Sequence, residues 1–148
     1  MKTNIKATNI FYLLPLALIV MLSALISCKD DEPTPQEKAT SLLTSSTWKI
    51  KTVSVDATDR TSVYPGLTLT FTATGYTTTN GGVIWPATGT WLFKDQTATT
   101  ITRSDGLEIT IQELTETSLK LAFSWTKTTL GSGRVQSVSG LHVLTFSN

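Results

Sequence analysis

The chain has 148 residues, 40% hydrophobic and 16% charged, with 12 Lys+Arg against 11 Asp+Glu and a formal net charge of +1. That length suits one domain with one core, and so even a charge balance excludes the basic surface a nucleic-acid partner requires. One cysteine excludes an internal disulfide, and one histidine excludes a His-rich metal site.

The N-terminus comes first. Lys2 and Lys6 precede an almost wholly apolar run, "IFYLLPLALIVMLSALI" at Ile10 to Ile26, and small Ser27 stands before Cys28. This is the order of a secretory signal peptide. An uncleaved membrane anchor is the competing reading, because the run lies near the roughly 17-residue lower limit for spanning a bilayer. Leu25-Ile26-Ser27-Cys28 resembles the bacterial lipobox. The resemblance implies cleavage between Ser27 and Cys28 and a diacylglycerol on the Cys28 thiol, with palmitate-type acyl chains as the sole anchor. Two or three such chains hold a protein far more firmly than one. Residues 1–27 are then a signal peptide, whose loss with Lys2 and Lys6 leaves 10 of the 12 Lys+Arg against 11 Asp+Glu.

Lys29-Asp30-Asp31-Glu32 follows at once. By charge alone it is a solvated tether. Its position also resembles the export signal of Bacteroidetes-type lipoproteins, which implies display on the outer face of the outer membrane. Residues 28–35, polar and carrying Pro33 and Pro35, serve as a stalk.

The folded part is expected over residues 36–148. Thr34-Pro35-Gln36-Glu37 has the chemistry of a helix start, and Ala39, Leu42 and Leu43 follow at helical spacing, which predicts a short helix over Gln36 to Leu43. From Trp48 onward the texture is Thr-rich period-two alternation broken by Gly, Asp and Asn. It predicts eight strands: Thr47 to Asp56, Leu67 to Thr72, Tyr76 to Thr79, Thr90 to Lys94, Thr99 to Arg103, Leu107 to Glu113, Ser118 to Thr126 and Gly140 to Phe146. "ATG" at Ala73 to Gly75 and "SDG" at Ser104 to Gly106 suit three-residue hairpins with a left-handed Gly, and "TET" at Thr115 to Thr117 joins the next pair. A meander hides its edges most simply by closing, so the expected fold is all-β, an eight-stranded antiparallel up-and-down barrel with one short N-terminal helix.

Alternation turns Leu67, Leu69 and Phe71, then Leu107, Ile109 and Ile111, then Leu119, Leu121, Phe123 and Trp125 to the core. In the first strand the pattern slips between Ile50 and Val53, which requires a bulge. "STWKI" at Ser46 to Ile50, "LTFTATGYT" at Leu69 to Thr77, "GTWLF" at Gly89 to Phe93 and "ITIQELTETSLKLAF" at Ile109 to Phe123 resemble the small lipocalin-like domains of bacterial lipoproteins. Ser46 stands where lipocalins carry Gly, while Trp48 keeps the position of the barrel-floor Trp.

Little in the sequence points to catalysis. His142 alternates with Leu144 and Phe146 and is either a partly buried structural residue or a surface one. A triad built on it lacks a nucleophile elbow. Asp105, Glu108, Glu113 and Glu116 gather around one hairpin as ordinary surface acids, and "GSGR" at Gly131 to Arg134 leads into no helix and reads as a hairpin tip. No enzyme activity, metal or cofactor is expected. The unusual residues are apolar and lie in loops: Val63, Tyr64 and Pro65 in the first connection, and Val83, Ile84, Trp85 and Pro86 in the third. They either plug one barrel end or form a lip around a cavity. Odd-numbered connections share an end, which brings Tyr64, Ile84, Trp85, Asp105 and Arg134 together as the candidate ligand site. The expected function is a non-enzymatic binding module for a small apolar or glycan-type ligand at that mouth. The alternative is an interaction lipoprotein with a filled barrel that docks another envelope protein through its loops.

Overall fold

In the computed structural model, which describes residues 32–126, 129–131 and 134–148, Pro33–Asn148 is a unit with its own core. It opens on a capped helix, α1 (Pro35–Thr44). The Thr34 hydroxyl accepts from the Glu37 N–H at 3.2 Å and the Thr34 N–H donates to the Glu37 carboxylate at 2.7 Å, a reciprocal box with Pro35 in the first turn. The helix runs one residue past the expectation at each end. Leu43 and Ala39 are its buried residues.

The strands are β1 (Thr47–Val55), β2 (Thr58–Asp59), β3 (Thr68–Phe71), β4 (Gly75–Thr79), β5 (Thr88–Phe93), β6 (Thr100–Arg103), β7 (Glu108–Leu114), β8 (Ser118–Trp125), β9 (Thr129–Gly131), β10 (Arg134–Ser137) and β11 (Gly140–Ser147). The sheet order is β11-β8-β7-β6-β5-β4-β3-β1-β2, and β11 also pairs with β1. That last pairing closes eight antiparallel strands into the lipocalin-like up-and-down barrel the alternation implied. β2 is an extra two-residue strand on β1, reached through Asp56 and Ala57 at φ 47° and 62°, a tight turn without glycine that the sequence did not signal. The last connection, expected as a hairpin tip, forms its own ladder, β9 with β10, outside the barrel sheet.

Register explains the faces. The expected bulge in β1 lies between Ile50 and Thr52, and it keeps both Trp48 and Val53 buried. A second bulge in β7, between Ile111 and Glu113, was not foreseen, and it turns Leu114 toward the core. Gly106 has the expected left-handed φ of 83°, closing Ser104–Gly106 with its N–H on the Arg103 carbonyl. Gly75 corrects its expectation: it is not left-handed. Thr72 closes that turn instead, its hydroxyl accepting from the Gly75 N–H at 3.0 Å and its own N–H donating to the Gly75 carbonyl at 2.8 Å.

Helix α1 closes the barrel end shared by the even-numbered connections. The indole N–H of Trp48 donates to the Leu43 carbonyl at 2.9 Å, and Gln36 donates to the Asp95 carbonyl. Trp48 is fully buried, the floor residue that its place in the sequence suggested. Between floor and opposite end the interior is filled by Leu69, Ile101, Ile109, Leu121, Leu144 and Phe146, all buried. Such filling is the usual state of an eight-stranded barrel without a ligand cavity.

Candidate functional site

The opposite end collects the odd-numbered connections, as the meander requires. There Trp85 is 1% exposed and Ile84 and Tyr64 are buried as deeply, so the apolar loop residues plug the barrel. Trp85 meets Tyr76 and Phe123 edge-on, each at 5.9 Å between ring centroids. The tight loop that delivers it needs Gly81: a Cβ there would lie 2.1 Å from the Trp85 carbonyl oxygen. The Trp85 indole N–H is buried without a hydrogen-bond partner among the described residues.

Arg103 holds this plug. It follows Ile101 on the inward parity of β6 and is only 2% exposed. Its guanidinium donates from Nη1 to the Ile84 carbonyl at 2.7 Å and from Nε and Nη2 to the two Asp105 oxygens at 3.1 and 2.5 Å. The Arg103 Cζ lies 5.2 Å from the Trp85 ring centroid, so the cation also rests on an aromatic face. The hydrogen bonds from Arg103 hold the Asp105 carboxyl below its ordinary range, against a smaller opposing effect of burial. Sequence reasoning missed Arg103. The available signal was a charge on an apolar parity, two residues from an acid at a hairpin.

Tyr64 reaches the same end from the other side. Its hydroxyl lies 3.1 Å from Nε2 of His142, whose Nδ1 lies 3.2 Å from the Gly140 carbonyl. A carbonyl can only accept, so Nδ1 carries the proton and Nε2 accepts from Tyr64. His142 is fully buried and stacks on Phe123, with the planes 5° apart and centroids at 5.3 Å. Burial holds its pKa below the ordinary value, and burial likewise pushes the Tyr64 hydroxyl up. Of the two readings open for His142, the structural one is correct.

Tyr64, Ile84, Trp85 and Asp105 are therefore brought together, but three of the four are internal. The β10 backbone carries Arg134, paired in register with Gly131. Cys28, Lys29, Asp30, Asp31 and the expected signal peptide lie outside the described residues, while Glu32 is exposed. No helix among the described residues is long and apolar enough to cross a membrane, and no group of three or more His, Cys, Asp or Glu there could hold a metal ion. Open space lies on the outer wall instead. Two depressions of about 490 and 350 Å³ share Gly106, Leu107 and Ser124, and Asp105 and Trp125 line the smaller. Comparison with family models, with curated proteins and with solved structures finds no match for the chain.

Proposed function

We propose that this chain is a surface lipoprotein of the Bacteroidetes type that binds its ligand or partner with the outside of a filled barrel and performs no catalysis. A diacylglycerol joined through a thioether to the Cys28 sulfur holds the protein to the outer membrane, and cleavage before Cys28 removes the signal peptide. Lys29, Asp30, Asp31 and Glu32 direct it to the cell exterior. "LISCKDDE" directly behind an apolar run supports these steps.

The observation that carries the binding mode is the filled interior. Tyr64, Ile84 and Trp85, the residues that would have lined a mouth, are committed to packing, whereas the depressions beside Asp105 are open to the outside. A small glycan-type or apolar ligand is then held externally. The filled barrel equally suits the alternative, docking of an envelope protein through the loops. Occupied groups weigh against catalysis: both His142 nitrogens are hydrogen-bonded, and Asp105 and Glu108 are paired with Arg103 and Lys94.

The test is native mass spectrometry with chemical cross-linking on the full protein released from its own envelope in mild detergent. The expected result is a companion mass beyond the acyl groups, cross-linked to outward residues of the barrel or its loops. A companion that is released only on unfolding and cross-links to no outward residue would place binding inside and refute the reading.

A further inference from the structure

The outward row of β8 runs Lys120, Ala122, Ser124, so its last two members are small. Its neighbours are set by register: Thr110 on β7 and Val143 on β11 flank Ala122, and Leu141 on β11 flanks Ser124. A central strand with short side chains between longer ones is a trough, which accounts for the depression of about 490 Å³. Ala122 lies at its floor, buried although its side chain points outward.

The two walls differ in chemistry. On the β7 side stand Thr110 and Gln112, and with Ser124 they offer hydroxyl and amide groups that are engaged in no side-chain hydrogen bond among the described residues. On the β11 side stands Leu141, a large apolar residue exposed on the surface at 49%. The carboxylates at the two depressions are already neutralised. Glu108 is paired with Lys94 at 2.8 Å and Asp105, in the adjoining depression, is held by Arg103. Neither carboxylate calls for a cationic ligand, and among the described residues no cationic side chain lines either depression to call for an anionic one. A peptide cannot join by strand addition, because β8 is hydrogen-bonded on both sides to β7 and β11.

We infer that the trough along β8 binds a neutral polyhydroxyl ligand, a short oligosaccharide. Such a ligand has an apolar ring face for Leu141 and hydroxyls at its edges for Thr110, Gln112 and Ser124. The trough is within the volume range of small-ligand sites, about 300 to 1,000 Å³. The inference rests on the external binding mode proposed above and names the ligand class and the wall that takes it.

The test titrates the full chain, in mild detergent, with maltotriose, cellotriose, mannotriose, xylotriose and chitotriose, and with trigalacturonate as a charged control, following backbone amide shifts. At least one neutral trisaccharide should saturate, with the largest shifts at Ala122, Ser124 and Leu141. Gln112→Ala should weaken it about fivefold, the loss expected for one net hydrogen bond. Ala122→Leu, which fills the floor, should abolish binding. The exposed Gln112 site keeps the test valid if Ala122→Leu alters the fold. No saturation by any neutral member, shifts confined elsewhere, tighter binding of trigalacturonate, or undiminished binding by both variants would each overturn the inference. Cross-linking of an envelope companion that persists in Ala122→Leu, alongside failure with every sugar, would sink the oligosaccharide while leaving the external binding mode standing.

Discussion

Trp85→Ala separates a structural plug from a ligand contact. The side chain is 1% exposed, has edge-on aromatic contacts with Tyr76 and Phe123, and carries the Arg103 guanidinium against its face. Truncating a packed Trp or Phe to Ala typically costs about 3 to 5 kcal/mol, through lost transfer energy and a residual cavity. Each aromatic contact contributes about 0.5 to 1.5 kcal/mol within that figure. One effect works the other way: the indole N–H, unpartnered among the described residues, is removed with the ring, relieving a penalty of about 1 to 3 kcal/mol. The expectation is therefore a loss near the lower bound, about 3 kcal/mol. Equilibrium urea unfolding followed by far-ultraviolet circular dichroism should show this as a lower midpoint at unchanged slope. Trp125→Ala, at a half-buried position, serves as the comparison and should cost less. A Trp85→Ala loss under about 1 kcal/mol would contradict the plug, because no well-packed aromatic is removed so cheaply.

Cys28→Ala should abolish incorporation of labelled palmitate; label retained by the variant would refute the anchor. Replacing Lys29, Asp30, Asp31 and Glu32 by Ala should leave the label in place but protect the protein from external protease on intact cells, and equal digestion of both forms would reduce the acidic run to a spacer. For His142 the folded pKa lies below the ordinary 6.5, because burial favours the neutral ring. Above about pH 6.5 both folded and unfolded forms are neutral and stability is full; as pH falls from there toward the lower folded value, only the unfolded chain gains the proton and stability declines. Urea midpoints between pH 8 and 5 should show that decline in the wild type and a flatter profile in His142→Gln, and identical profiles would dismiss the effect.

The alternation of Leu67, Leu69 and Phe71 against Thr was enough to place a strand and its face, because a half-buried sheet imposes period two on any sequence. The β1 bulge was legible for the same reason: Trp48 and Val53 could share the core only if one residue were inserted. The bulge in β7 leaves the same kind of mark, an odd step from Ile111 to Leu114, but the expected strand stopped at Glu113 and the slip fell outside it. Asp56 and Ala57 carry no glycine signal for their left-handed turn. The loop aromatics were recognised as unusual, but whether Trp85 lined a mouth or filled it depended on Arg103, and Arg103 acts through the Ile84 carbonyl, 19 residues away. The β8 trough was hidden for a different reason. Ala122 and Ser124 are ordinary on a wet face, and they become a floor only when Thr110 and Leu141 are known to stand on either side.

The seam between β1 and β11 has a consequence for the order of folding. It joins Lys49 through Val55 to Ser147 through His142, the first barrel strand to the last. Every other barrel seam except the two beside it can form between strands that are neighbours in the chain by way of short hairpins, and these can appear early. Closure cannot, because the loop it shuts is nearly the whole domain and its entropy is lost before its contacts are gained. A chain still emerging from a ribosome therefore holds an open meander with two unpaired borders until β11 arrives. Deleting β11 would leave those borders permanently open, as templates for the same strands on another molecule.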